Sequence, residues 1–119
     1  WNDKYEEYLG IRREDDFTGI LQDVHWSGSS FGYFPSYALG YMYAAQLYHA
    51  MGKELAIDEI LASDDYSPIK RWSTEHIHQY GASRKPNQLI MDATGEALNP
   101  KYLLDYMEKI YFDVYQVKN

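Results

Sequence analysis

The sequence has no cysteine, no long apolar run and no excess of basic residues. Without cysteine there is no disulfide framework, and a reducing compartment fits, so we expect a cytoplasmic protein. A bilayer-spanning helix needs about 20 mainly apolar residues in a row, so no membrane partner is expected. The formal net charge of −7 leaves no basic patch for a nucleic-acid backbone, so nucleic acid is not expected as a partner.

Tyrosine, in contrast, is plentiful, with 13 copies among 119 residues. A tyrosine side chain is an apolar plate with a polar tip, so a tyrosine-rich chain is suited to lining grooves that are half dry and half wet. The length predicts one domain, a single helical unit over residues 1–119. Because the first residue is Trp1 rather than methionine, we expect the chain to be a piece of a longer protein.

Short helices joined by turns are the pattern that runs through the sequence. Proline or a capping residue stands where several apolar-periodic segments begin, and glycine stands where several end. The predicted N-caps include Asp16, Ser67 and Asn99. No segment alternates as a half-buried strand would, so the predicted fold class is all-α. Helices are predicted over about 2–9, 17–21, 36–51, 56–62, 68–80, 86–94 and from 100 onward.

Residues His25–Gly40 are the main functional candidate, because they place polar aromatic side chains among glycines just before a long helix. Loops of this composition commonly bind ligands. His25, Tyr33 and Tyr37 could each donate a hydrogen bond to an oxygen that becomes negative in a transition state. The alternative, which the residues alone leave open, is that the tyrosines are packing elements with satisfied hydroxyl groups.

Two other sequence patterns are weaker indications of a functional site. Residues 28–32 match the Gly-x-Ser-x-Gly nucleophile elbow, but that elbow needs a preceding strand in a parallel sheet. We therefore do not expect Ser30 to be a nucleophile. His76 and His78 are two residues apart and would point to different faces of a helix, so they do not predict a metal site.

Several runs of the sequence carry a family resemblance. They are Leu-Gln-Asp-Val-His-Trp-Ser at 21–27, Phe-Gly-Tyr-Phe-Pro-Ser-Tyr-Ala-Leu-Gly at 31–40, and Ala-Ala-Gln at 44–46. Together they resemble the carboxypeptidase Taq family, zinc metallocarboxypeptidases that remove single C-terminal amino acids from peptides. The resemblance extends to residues 8–11 near the start and to 94–100 towards the end, and so covers essentially the whole chain.

The family's zinc-binding pattern, His-Glu-x-x-His, is missing, since no histidine here is followed at once by glutamate. The resemblance therefore implies the helical C-terminal part of a larger, mostly helical zinc peptidase catalytic domain, with the zinc ligands upstream. It implies a peptide substrate and a homodimeric parent enzyme. For the chain alone it implies no bound zinc and no turnover.

The resemblance also implies roles for particular residues. His25 and Tyr37 are assigned to the reaction intermediate or the substrate backbone, and Tyr33 to the substrate or the oxyanion. Asp23 would orient His25 by accepting a hydrogen bond from it. Which tyrosine stabilises the oxyanion is left open. The residues assigned to substrate binding are Gly28, Gly32 and Tyr33.

A rival function from another class is a tyrosine-rich helical module. In that case the central stretch would hold a peptide or a sugar without cleaving it. An upstream His-Glu-x-x-His pattern in the parent gene would separate the two interpretations.

Overall fold

The secondary structure is entirely helical in the part of the chain that the computed structural model describes, residues 1–116. This confirms the predicted all-α fold class. No helix in that range combines the length and the apolar character that crossing a membrane requires. The α-helices are α1 (Asn2–Leu9), α2 (Val24–Ser27), α3 (Pro35–Met51), α4 (Ile57–Ala62), α5 (Ser67–His76), α6 (Pro86–Thr94) and α7 (Lys101–Tyr115), with 3₁₀ turns at Ile20–Gln22 and His78–Tyr80.

The chain divides into two compact units, and each is described by itself. The first unit covers Trp1–Ala38 and carries α1, α2 and the start of α3. The second unit begins at Leu39 and carries the rest of α3 and the helices that follow. That residues 1–119 form one domain stays a prediction.

Three helix ends that depend on local chemistry lie where the sequence predicts them. Gly10 ends α1 with a φ of 69°, and Gly95 ends α6 with a φ of 86°, both in the left-handed region that favours glycine. Pro86 is the first residue of α6, where its missing N–H costs no helical hydrogen bond. Helix α3 begins at Pro35, one residue earlier than predicted.

The predicted helix over 17–21 is wrong. The carboxylate of Asp15, rather than that of Asp16, accepts hydrogen bonds from the backbone N–H of Thr18 at 2.7 Å and from its hydroxyl at 2.9 Å. This local side-chain turn competes with helix formation. Only the 3₁₀ turn at Ile20–Gln22 follows it.

Helix α5 also differs from its prediction at both ends. Asp65, not Ser67, supplies the N-terminal side-chain acceptor, because its Oδ1 lies 2.9 Å from the Ser67 backbone N. The helix stops at His76, since Ile77 has a φ of −127° and a ψ of −64°. At the start of α7, Asn99 does accept from the Lys101 backbone N–H at 3.0 Å, although the helix begins one residue later than predicted.

An apolar cluster forms the core of the second unit. Trp72 from α5, 4% exposed, packs with Met51 of α3 and Ile57 of α4. Ala50 is the other buried member, and Leu47, Leu55 and Ile69 pack against the cluster. Burying such side chains contributes about 1.5–3 kcal/mol for each large residue. This cluster joins α3, α4 and α5.

Gln46 is a buried polar residue of α3 and is 1% exposed. Its Nε2 donates to the Thr94 hydroxyl at 2.9 Å and to the Ala97 carbonyl at 3.2 Å. Its Oε1 accepts from the Asn99 backbone N–H at 2.8 Å. One amide side chain thus ties α3 to the connection between α6 and α7 and satisfies backbone groups there.

The Gln46→Leu variant tests this connection. It keeps a similar side-chain size but leaves the Asn99 N–H and the Ala97 carbonyl without their partner. We expect the free energy of unfolding to fall by about 1–3 kcal/mol, because unpaired buried polar groups cost that much. Urea denaturation followed by circular dichroism measures it.

Gln88→Leu is the matched control, since Gln88 is exposed on α6 and its side chain donates a hydrogen bond to Asp92. The free energy of unfolding of this variant should change by no more than about 0.5 kcal/mol, as for other surface substitutions. Equal losses in the two variants would contradict the assigned role of Gln46.

Candidate functional site

The site is built around the carboxylate of Asp23, which precedes α2. One oxygen of this carboxylate, Oδ1, accepts from the His25 backbone N–H at 2.9 Å and so caps the short helix. The same oxygen lies 2.9 Å from Nδ1 of the His25 ring. A single carboxylate oxygen therefore fixes both the backbone and the ring of His25.

Asp23 remains a carboxylate at neutral pH. Desolvation raises its pKa, but hydrogen bonds from the backbone N–H and the ring of His25, with the attraction of that ring, outweigh it and lower the pKa below the usual value. An ionised carboxylate only accepts hydrogen bonds, so the proton of the contact sits on His25 Nδ1. The Nε2 atom is therefore the one left for other partners.

The start of α3 brings the hydroxyl of Tyr37 to that free nitrogen. Tyr37 lies in the first turn of α3, and its hydroxyl is 3.4 Å from His25 Nε2. When the ring is neutral, the hydroxyl donates to Nε2. The ring of Tyr33 stacks beside His25 with centroids 5.7 Å apart, and Phe34 meets it edge-on at 5.2 Å. Three aromatic rings thus surround one imidazole.

The side chains of the site differ in how far they are exposed to solvent. The side chain of Asp23 is 23% exposed and that of His25 19%, whereas Tyr33 and Tyr37 are about half exposed. The orienting carboxylate is thus largely shielded from water, and the tyrosine rings can meet a ligand. The arrangement can hold an imidazole in one orientation and offer hydroxyl groups to a bound polar group.

The two glycines of the site have different surroundings. Gly32 has a φ of 75°, which favours glycine, and a side chain placed there would meet nothing within 4 Å. Gly28 follows α2, and a Cβ there would come within 3.1 Å of the Val24 carbonyl oxygen. Open space beside Gly32 fits a segment that a ligand approaches, and the assignment of both glycines to substrate binding stays a prediction.

The weaker candidates do not gather into a site. Helix α2, not a strand, precedes Ser30, so the nucleophile-elbow context is absent from the described residues around it. His76 ends α5 and donates from Nδ1 to the Trp72 carbonyl at 2.9 Å, while His78 lies in the following 3₁₀ turn. Within residues 1–116 no three histidine, aspartate or glutamate side chains meet as a metal site would need, so these residues do not fit the metal that the family resemblance implies.

Sequence reasoning missed two parts of the site. It did not predict α2, although Asp23 followed by Val-His-Trp-Ser is a usable N-cap signal. It also passed over Phe34, whose ring packs against both His25 and Tyr37. No sequence signal separates Phe34 from the other aromatic residues of this stretch, because the contact depends on how the loop folds back.

Comparison with known proteins identifies the family. The family model described as carboxypeptidase Taq (M32) metallopeptidase matches residues 1–111. This match covers most of the sequence, so the chain belongs to the carboxypeptidase Taq (M32) metallopeptidase family. The family resemblance that the sequence predicts is confirmed.

Individual relatives agree with this assignment. The chain is 54% identical to carboxypeptidase 1 of Bacillus subtilis over 97% of its own length, but it spans only 23% of that relative. A crystal structure of an M32 carboxypeptidase from Deinococcus radiodurans is 34% identical with a TM-score of 0.88, and the match covers 98% of this chain and 24% of that one. Trypanosoma cruzi metallocarboxypeptidase 1 is 43% identical with a TM-score of 0.85, over 93% of this chain and 24% of that one.

The hydrogen bond to Asp23 sets the tautomer of His25. In the intact chain, neutral His25 should carry its proton on Nδ1, and Asp23→Ala should move the population towards the Nε2–H form, because the acceptor for Nδ1 is gone. Nitrogen-15 NMR of the imidazole ring distinguishes the two forms.

Asp16→Ala is the matched control, since Asp16 is an exposed residue of the same unit whose carboxylate is not among the described hydrogen-bond partners of His25. Its ring nitrogen shifts should equal those of the unsubstituted chain. Unchanged shifts in Asp23→Ala would contradict the orientation described above.

Proposed function

We propose that this chain is the C-terminal part of a zinc-dependent carboxypeptidase that removes C-terminal amino acids from peptides. In this proposal the chain supplies the surface that binds substrate and the oxyanion. One observation supports it above the others: the Asp23 carboxylate holds His25 so that Nε2 lies beside the Tyr37 hydroxyl, in a segment of a carboxypeptidase family.

Peptide hydrolysis passes through a tetrahedral intermediate whose oxygen is negative, and preorganised donors stabilise it. Tyr37 is a suitable donor, because its hydroxyl can turn from His25 Nε2 to a substrate oxygen. His25 acts as a donor from Nε2 only when both ring nitrogens are protonated. Tyr33, half exposed beside the His25 ring, contacts the substrate.

The proposed parent enzyme binds zinc, and the residues that hold the zinc lie outside this chain. The family is a metallopeptidase family, and the described residues bring no set of three ligands together. The proposal also includes a homodimeric, cytoplasmic parent enzyme. Nothing in the roles given to His25, Tyr33 and Tyr37 requires them to touch the metal.

The first test uses a chimera, defined as Bacillus subtilis carboxypeptidase 1 in which residues 1–119 of this chain replace the matching segment. We expect His25→Ala, Tyr37→Phe or Tyr33→Phe to lower kcat by about 10²–10³-fold, because each removes a candidate transition-state donor. Steady-state release of the C-terminal residue from a peptide measures it, with zinc content determined in parallel.

Tyr41→Phe is the matched control, since Tyr41 lies one turn further along α3 and is also exposed. It should keep kcat near that of the unsubstituted chimera. Near-normal rates in all three site variants, with zinc content unchanged, would mean that the stretch is only structural.

The chain by itself should neither retain zinc nor hydrolyse peptides. After incubation with zinc and dialysis, we expect far less than one equivalent to remain, because stable protein zinc sites use about three or four ligands. Elemental analysis and a C-terminal hydrolysis assay check the two statements. One retained equivalent that is lost in His25→Ala would contradict the proposal.

A further inference from the structure

Gly19 is the only buried residue among residues 1–38, which form the first compact unit. In the sequence it stands between α1 and the 3₁₀ turn at Ile20–Gln22 that leads to Asp23. The proposed function uses neither Gly19 nor the residues that cover it. A buried glycine in an otherwise exposed unit indicates that two parts of the chain approach closely there.

Three groups close around the place that a side chain at position 19 would occupy. A Cβ atom added to Gly19 would lie 3.0 Å from the Asp15 carbonyl oxygen, 3.2 Å from Cζ3 of Trp1 and 3.4 Å from Cβ of Arg13. The first two separations are tighter than most real Cβ contacts, so these groups would have to give way by a few tenths of an ångström. Because the closest group is backbone, it cannot turn aside as a flexible side chain could. Position 19 therefore needs glycine for space.

The indole ring over Gly19 belongs to a part of the chain that α1 supports. The Trp1 ring stacks on that of Tyr5 at a centroid distance of 4.5 Å, and the Trp1 carbonyl accepts from the Tyr5 backbone N–H at 2.9 Å. The Arg12 guanidinium pairs with the Asp3 carboxylate of α1 at 2.9 Å. These contacts join α1 to the segment that precedes Gly19 and hold the ring in place above it.

Two backbone hydrogen bonds make the position of Asp23 depend on that of Gly19. The Gly19 carbonyl accepts from the Gln22 N–H at 3.0 Å, and the Ile20 carbonyl accepts from the Asp23 N–H at 3.2 Å. These bonds close the 3₁₀ turn between Gly19 and Asp23. A displacement of Gly19 is therefore expected to reach the carboxylate that orients His25.

The ring of His25 has a second support besides Asp23. Three aromatic rings pack around it with centroid distances of 5.2–5.7 Å, those of Tyr33, Phe34 and Tyr37. They follow α2 in the chain, whereas Gly19 precedes it. If Asp23 moves with Gly19 while these rings hold the imidazole, the 2.9 Å contact between Asp23 and Nδ1 lengthens. Such hydrogen bonds span only about 2.7–3.2 Å, so a few tenths of an ångström weaken the contact.

We propose that Gly19 is a positioning residue. Its close contact with the Trp1 ring sets the place of Asp23 and, through Asp23, the orientation of His25. The role needs both the absence of a side chain at position 19 and the indole ring at position 1. The consequence for catalysis rests on the proposed function, whereas the consequence for the His25 ring does not.

Nitrogen-15 NMR of the His25 ring in the intact chain, at a pH where the ring is neutral, tests the positioning. Gly19→Ala should move the ring nitrogen shifts in the direction expected for Asp23→Ala, because the acceptor for Nδ1 is displaced. Gly40→Ala is the matched control, since a Cβ atom there meets nothing within 4 Å outside its own helix. Its ring nitrogen shifts should equal those of the unsubstituted chain.

Trp1→Leu is the second variant, in case Gly19→Ala disturbs folding, which circular dichroism monitors. It removes the ring over Gly19 without adding bulk, so the His25 ring nitrogens should move in the same direction by a smaller amount. Tyr8→Leu is its control, because Tyr8 is an exposed aromatic residue of α1 whose ring is not among the groups nearest to Gly19. This control should leave the shifts unchanged.

Steady-state hydrolysis by the chimera measures the consequence for catalysis. Gly19→Ala should lower kcat by about ten- to a hundredfold, as misplaced groups do in other enzymes. KM should change little, because a displaced donor weakens the transition state more than the bound substrate. Zinc content is determined in parallel and should be unchanged.

The two measurements separate this proposal from the proposed function. Unchanged His25 ring nitrogens in either Gly19→Ala or Trp1→Leu, in a variant that keeps its fold, would overturn the positioning role whatever the activity of the chimera. Moved ring nitrogens together with near-normal kcat in both Gly19→Ala and His25→Ala would support the positioning role and contradict the proposed function.

Discussion

The candidate site depends on one carboxylate oxygen. Asp23 Oδ1 accepts from both the backbone N–H and Nδ1 of His25, so it caps α2 and orients the ring in one step. Removing that oxygen would release the helix cap and the imidazole together. The position of Nε2 beside Tyr37, and so the chemistry that the site can offer, follows from this local contact between residues two apart.

Local chemistry accounts for what the sequence predicts well. Gly10, Pro86 and Gly95 lie at helix ends because their backbone preferences act within one turn. The same local reasoning fails where two neighbouring residues compete. Asp15 forms a side-chain turn with Thr18 where a helix cap at Asp16 was predicted, and Asp65 takes the role predicted for Ser67, since a shift of one or two residues changes no composition or periodicity.

Long-range contacts account for the features of the fold and the site that the sequence does not predict. Gln46 is the most buried polar side chain described, yet its partners Thr94 and Asn99 are 48 and 53 residues away. Nothing near Gln46 in the sequence indicates them. In the site, His25, Tyr33 and Tyr37 were candidates because of their residue types, and the structure brings them together. Their ring distances and the packing of Phe34 required the folded loop.

The central claim is that His25 and Tyr37 face the reacting carbonyl of a peptide. A crystal structure of the chimera with a phosphinic peptide, which imitates the tetrahedral intermediate, tests this most directly. The account predicts a phosphinyl oxygen within about 3.2 Å of the Tyr37 hydroxyl or of His25 Nε2. A bound inhibitor that touches neither atom, directly or through one water, would contradict it.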